Sequence, residues 1–284
     1  QPGFGWFVIH SGFVAIDMNV RIAVHGWLVL ELSNDSAVWL GIYALILGVG
    51  QLTCSILTGA LADRFPRKTL LLLECATSAT IACVLTISIF FNIVTLWMAI
   101  ALGFTMGCLR SIRFTGANRL IYDLVGPKQI INGVALWRTS SAPMMVLGSL
   151  VAGGLLQWLG LWVAYGFITI GLLAALPFLA MVRIEVSQEK PKVNFLQQML
   201  EGGRFLAKDQ SLRTLFLMSV VMEGLGFSFI AMIPVMAKVV LGEGGFGLGL
   251  LQAGIGAGFF VANLSMAAVG DYHNKPRLIF LNAL

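Results

Sequence analysis

Charged side chains are scarce in this sequence. Only 11% of its 284 residues are Asp, Glu, Lys or Arg, whereas 58% are hydrophobic. Soluble globular domains carry about 25% charged residues, because their surface faces water. This number of charges is too small to cover the surface of a soluble protein of this length. We therefore expect many apolar side chains to face lipid.

Patterns typical of enzymes and metal sites are also missing. The three histidines are far apart, and no HExxH, GxSxG or phosphate-binding loop occurs. The cysteines lie in apolar stretches without CxxC spacing, which favours packing roles over metal binding or redox chemistry. These cysteines are Cys54, Cys75, Cys83 and Cys108. We expect no enzymatic activity, no metal and no organic cofactor.

Long apolar stretches are what the sequence does contain. A helix needs about 20 apolar residues to cross a bilayer core, and eight such stretches can be placed, with a ninth beginning near Leu278. The predicted spans are 6–31, 38–61, 69–90, 93–113, 131–156, 160–182, 213–238 and 247–269. The sequence therefore predicts an all-α, multi-pass membrane protein.

Lys and Arg concentrate on one side of the predicted membrane. They follow the even-numbered spans, whereas the loops after the first, third and fifth spans contain none, and only Lys238 lies near the loop after the seventh. Short, positively charged loops stay in the cytoplasm, so we expect a cytoplasmic N-terminus. The net charge of +5 does not indicate nucleic-acid binding, because the basic residues form no basic helix face.

The second and eighth predicted spans resemble each other. The 208-residue separation of Asp63 and Asp271 also aligns three glycine pairs and one basic pair without gaps. The aligned pairs are Gly41 with Gly249, Gly48 with Gly256, Gly50 with Gly258, and Arg67 with Lys275. This internal match predicts a duplicated membrane protein with two related halves.

The duplication predicts the domain organisation. We expect a six-span first half at 1–183, a cytoplasmic linker at 184–212 and an incomplete second half at 213–284. Parallel halves joined in this way are typical of one class of secondary transporters. If the halves match, about four further spans follow Leu284, and the chain is a fragment at both ends.

The loop between the second and third spans carries a motif. Residues 59–68 read GALADRFPRK and closely resemble the GxLADRxGRK signature of the major facilitator superfamily, with proline at position 66 instead of glycine. The resemblance implies the major facilitator fold, a 6+6 repeat that transports by alternating access, and a charged latch between its halves. Ordinary positive-inside anchoring is the alternative interpretation of these charges. The implied latch residues are Gly59, Asp63, Arg64, Arg67 and Lys68, with Asp271 and Lys275 in a weaker copy.

Other segments are similar to one branch of that superfamily. Residues 147–154 read LGSLVAGG, similar to the GPxxGG pattern of drug:proton antiporters, although simple helix packing explains Gly148, Gly153 and Gly154 equally well. The DxxxR pattern at 17–21 and segments 116–136 and 233–235 are similar to enterobactin-exporter-like transporters. The resemblance implies a monomeric exporter of siderophores or drug-like molecules in the bacterial inner membrane, with lipid, its substrate and protons as partners.

Charges at membrane depth are candidate transport residues, because each costs about 2.5 to 3.5 kcal/mol to insert. Asp17, Arg21 and His25 share one face of the first span, which we expect to line the central cavity with Asp17 as proton carrier. A permanently closed Asp17–Arg21 pair is the alternative. Glu223 is a second candidate carrier, and Arg138 either binds an anionic substrate group or neutralises one of these acids.

Two further charges, Glu74 and Arg113, fall near the cytoplasmic ends of the predicted third and fourth spans. There we expect them to join the loop-motif charges rather than the transport path. The alternatives to an exporter are an importer or symporter of the same fold, since alternating access runs in either direction, and a non-transporting membrane receptor.

Overall fold

The computed structural model of the chain describes residues 2–64, 66–127, 129–182, 204–205, 207–221 and 228–269, and every regular element in them is helical. The first six helices are α1 (Pro2–Leu32), α2 (Ala37–Arg64), α3 (Arg67–Phe90), α4 (Leu96–Val125), α5 (Ile130–Trp158) and α6 (Leu161–Met181). They are followed by α7 (Gln210–Val221), α8 (Ser228–Val235), which continues as a π-helix over Met236–Val240, and α9 (Gly245–Val269). The predicted site residues Glu223, Asp271 and Lys275, and most of the predicted linker, lie outside the described residues.

Six described helices contain segments long and apolar enough to cross a membrane. The segments are Gly3–Leu32, Ala37–Ser55, Arg67–Phe90, Asn132–Trp158, Leu161–Met181 and Gly245–Ala262. Helix α4 is equally long but is not among them, because Arg110 and Arg113 interrupt its apolar run. The chain is a multi-pass, all-α membrane protein.

Helix α4 corrects one predicted boundary. The predicted fourth span ends at 113, whereas α4 continues to Val125. Gly126 ends the helix with a φ of 76°, which glycine adopts without a Cβ clash, and its N–H donates to the Tyr122 carbonyl. Arg113 therefore lies about 18 Å inside the helix from that end. This position overturns the prediction that it joins the loop charges.

Helix α1 lies at the centre of the first six helices. Helix α1 contacts α5 and α6 along much of its length and also contacts α2 and α4, while α3 packs on α6 and α2 on α4. Buried apolar side chains, among them Val24, Leu28, Leu85 and Ile168, fill the space between the helices. Polar groups on the inner face of α1 are consequently enclosed by protein rather than by lipid.

Helices α2 and α4 approach closely at small residues. Gly50 meets the backbone of Phe104, and Gly107 meets the Leu47 carbonyl, so neither position has room for a Cβ. One turn beyond Gly50, the sulfur atom of Cys54 on α2 meets that of Cys108 on α4.

The meeting sulfurs form a disulfide between Cys54 and Cys108, whose Cα atoms are 5.0 Å apart. We expected both cysteines to be packing residues, and this expectation is wrong for the pair. The two residues lie 54 positions apart in sequence, and only the close α2–α4 crossing brings them together. Cys75 and Cys83 are free, as expected.

Two of the three glycines predicted to pack helices lie at close contacts between helices. A Cβ on Gly148 would lie 2.8 Å from the Ile16 carbonyl oxygen on α1, and one on Gly153 would lie 2.9 Å from the Gly249 Cα on α9. Gly154 instead faces the Trp158 ring of its own helix. Helix α5 thus joins α1 to α9 through its glycines.

The α2–α4 contact generates a stability prediction. Gly50→Ala should lower the free energy of unfolding by about 1 to 3 kcal/mol, because its methyl group has no space against Phe104. The control is Gly171→Ala on α6, where nothing lies within 4 Å. Thermal unfolding of the purified protein in detergent measures both. Equal melting temperatures for the two variants would contradict the tight crossing.

Candidate functional site

Helices α1 to α6 form what we call the first bundle. Four charged side chains from three of these helices meet inside it. They are Asp17 and Arg21 on α1, Glu74 on α3 and Arg113 on α4. Asp17 and Glu74 are only 2% and 3% exposed, and the guanidinium side chains are 13% and 15% exposed. Two acids and two bases cancel in formal charge, which is the condition under which buried charges are tolerated. We call this group the charge cluster.

Arg113 is shared by the two acids of the charge cluster. Its Nη2 and Nε atoms donate to Glu74 Oε1 over 2.6 and 3.1 Å, and its Nη1 lies 3.9 Å from Asp17 Oδ2. Arg21 Nη2 donates to the same Asp17 oxygen over 2.5 Å. The Ser78 hydroxyl adds a third donor to Glu74 Oε1 at 2.9 Å. Glu74 therefore accepts three hydrogen bonds, whereas Asp17 accepts one.

The second oxygen of Asp17 and the Nε atom of Arg21 are the two atoms of the charge cluster that are buried without a hydrogen-bond partner in the part of the chain that the structure describes. Asp17 Oδ1 is buried and has no hydrogen-bond partner among the described residues. A buried acceptor without a donor costs about 1 to 3 kcal/mol, so such an atom needs an explanation. A proton fits there without displacing an existing hydrogen bond.

Sequence reasoning found half of the charge cluster. The i, i+4 spacing on α1 predicted the Asp17–Arg21 contact, whereas Glu74 and Arg113 were assigned to the loop charges. The signal that could have found Glu74 is Ser78, which lies four residues later in the same apolar span. This polar pair on one helix face indicates a buried hydrogen bond rather than a loop contact.

His25 does not line a cavity, contrary to the prediction for this face of α1. It is 0% exposed. Its Nε2 donates to the Ala99 carbonyl over 3.1 Å, and its Nδ1 accepts from the Tyr165 hydroxyl over 2.7 Å. The ring also stacks on Tyr43 at 4.7 Å. Both ring nitrogens therefore have hydrogen-bond partners. At this level, two turns beyond Asp17, helices α2, α4 and α6 cover α1.

Two of the predicted latch residues have partners within the first bundle. Arg67 pairs with Asp123 on α4. Lys68 Nζ donates to the carbonyl oxygens of Ala180 and Val182 over 2.6 and 2.8 Å, where the last turn of α6 leaves carbonyls without helical partners. Both side chains thus tie the start of α3 to its neighbours, while the predicted latch partners Asp271 and Lys275 lie outside the described residues.

Among the remaining predicted residues, Arg138 is the one with a described side chain, and it does not join the charge cluster. Gly59, Asp63 and Arg64 lie on the last turns of α2, and their side-chain contacts lie outside the description. Arg138 is exposed on α5, with its guanidinium carbon 5.8 Å from the centre of the Trp137 ring.

The bonding of His25 predicts a structural role for its neighbour. Tyr165→Phe should lower the free energy of unfolding by about 1 to 3 kcal/mol, because His25 Nδ1 loses its donor in a buried site. The control is Tyr122→Phe, at a side chain that is 48% exposed. Thermal unfolding in detergent measures both, and an unchanged melting temperature for Tyr165→Phe would contradict the role.

Comparison with protein families places the chain. A family model described as transmembrane secretion effector, of the major facilitator type, matches residues 1–284. A search of curated proteins gave no significant match. The family match spans the whole chain and accords with its many membrane-crossing helices. The chain therefore belongs to the transmembrane secretion effector family and is a transporter of the major facilitator kind.

Proposed function

We propose that this protein is a proton-coupled antiporter that exports a siderophore or drug-like molecule by alternating access. The observation that carries the proposal is the charge cluster, in which Asp17 Oδ1 is buried without a donor among the described residues. The word secretion in the family description supports export. The proton gradient supplies the energy in this proposal, without an organic cofactor.

Asp17 is the proton carrier in this mechanism. Proton binding at Oδ1 leaves the hydrogen bond from Arg21 to Oδ2 in place and changes the formal charge of the cluster from zero to +1. Arg113 then interacts mainly with Glu74, to which it already donates twice. A protonated and a deprotonated cluster thus favour different packings of α1 against α4, and a proton gradient can shift the population between them.

The proposed export route needs an orientation. We place the N-terminus in the cytoplasm of a bacterium and the protein in its inner membrane, because Arg67, Lys68 and Arg119 lie at one end of the bundle. We assign the chain to the enterobactin-exporter-like branch on its 17–21 pattern and its segments 116–136 and 233–235. The proposed latch uses Asp63 and Arg64 with Asp271 and Lys275, while Arg138 and Glu223 remain proposed contacts of substrate or proton. We propose a monomer.

Asp17→Asn tests proton coupling. In everted vesicles containing the intact transporter, a transported substrate should collapse an imposed proton gradient, and this variant should reduce the signal to that of empty vesicles. Substrate exchange without a gradient should persist in the variant, which shows that it is folded. The control, Asp35→Asn, removes a carboxylate in the loop after α1 and should behave as the wild type. Unchanged coupling in Asp17→Asn would refute the mechanism.

The balance of charge in the cluster generates a second test. Asp17→Asn alone leaves one base in excess, which should lower the free energy of unfolding by about 3 to 5 kcal/mol. The double variant Asp17→Asn with Arg21→Gln restores a net charge of zero. Thermal unfolding should show recovered stability in the double variant, while vesicle assays show no recovery of coupling. Additive loss of stability would contradict a mutually compensated cluster.

A further inference from the structure

A cavity of about 450 Å³ lies at the end of the bundle opposite to Arg67 and Lys68. It opens where α1 and α3 end and where α6 begins. Its lining includes Trp27, Glu31, Phe90, Asn92 and Trp162. One carboxylate and several aromatic rings line it, and its lining contains no Lys or Arg. This end cavity is separate from the charge cluster.

The carboxylate of the end cavity is held in place without being neutralised. Trp27 Nε1 donates to Glu31 Oε1 over 2.7 Å, and no ion pair of Glu31 occurs among the described residues. The nearby Lys238 Nζ pairs with Asp35 at 2.7 Å and lies 5.1 Å from the centre of the Trp27 ring. Its charge is already paired with Asp35. The exposed carboxylate of Glu31 therefore has no described counter-ion and is open to a cation from outside.

Aromatic side chains form the wall beside this carboxylate. The rings of Phe90 and Trp162 lie 5.5 Å apart in an edge-to-face arrangement, and both side chains are about half exposed. Ring faces attract ammonium groups, and the attraction strengthens when water is excluded. A cavity with a few polar groups among apolar walls is also the usual form of a small-molecule site.

We propose that the end cavity binds an ammonium group through Glu31, with Phe90 and Trp162 as its aromatic wall. A soluble organic amine and the headgroup of an amine lipid present the same chemistry, and the cavity lies at the helix ends where both are available. The site is about 21 Å along α1 from Asp17. The proposal does not depend on proton-coupled export.

Calorimetric titration of the intact protein tests this site. In nanodiscs of phosphatidylglycerol, which contain no amine lipid, benzyltrimethylammonium should bind saturably, and the neutral isostere neopentylbenzene should not. Glu31→Gln keeps an oxygen that accepts from Trp27 but loses the charge, and it should weaken binding about tenfold or more. The matched control is Glu243→Gln, an acid in the loop after the π-helix that does not line the cavity.

Two further arms identify the source and the independence of the site. If phosphatidylethanolamine in the nanodisc weakens binding of the probe in competition, the ligand is a lipid headgroup, and if it has no effect, the ligand is a soluble amine. The titration is made without a proton gradient, so failure of proton coupling would leave its result intact. Absence of saturable binding, or equal affinity in Glu31→Gln, would overturn the proposal.

Discussion

The mutual compensation of four buried charges constrains the first bundle. Removing one partner from such a group costs about 3 to 5 kcal/mol, since the other charge is left buried. Helices α1, α3 and α4 must therefore stay within hydrogen-bond distance at this level. The Gly50 and Gly107 contacts hold α4 against α2, and the hydrogen bonds of His25 hold α1 against α4 and α6. These contacts make the helix positions precise enough for the cluster to form.

The two acids of the cluster differ in the number of hydrogen bonds that they accept. Glu74 Oε1 receives three donated hydrogen bonds, from Arg113 twice and from Ser78 once, so it acts as a fixed anchor. Asp17 is bound through Oδ2, and its Oδ1 has no donor among the described residues. In the proposed mechanism, the proton therefore binds at Asp17 Oδ1. In that mechanism Arg113 stays on Glu74 while Asp17 changes charge.

Local patterns predicted what depends on neighbours in sequence. The helices were predicted from apolar stretches, and the Asp17–Arg21 contact from spacing within one helix. Contacts across helices were not predictable in this way. Arg113 falls at the end of the predicted fourth span, where three arginines occur within ten positions, yet α4 continues past them to Val125. The fold brings Arg113 to Glu74, 39 residues away, and covers His25 with α4 and α6.

The source of the compensating charge separates the two acidic sites on α1. Asp17 obtains its counter-charges from Arg21 and Arg113 inside the protein, so a passing cation gains little there, whereas a proton changes the balance of the whole cluster. Glu31 has only the Trp27 indole as a described partner and faces a cavity. In the proposed site, the ammonium group of a ligand balances its charge. Internal compensation thus suits a proton switch and external compensation suits a binding site, although both acids lie on one continuous helix.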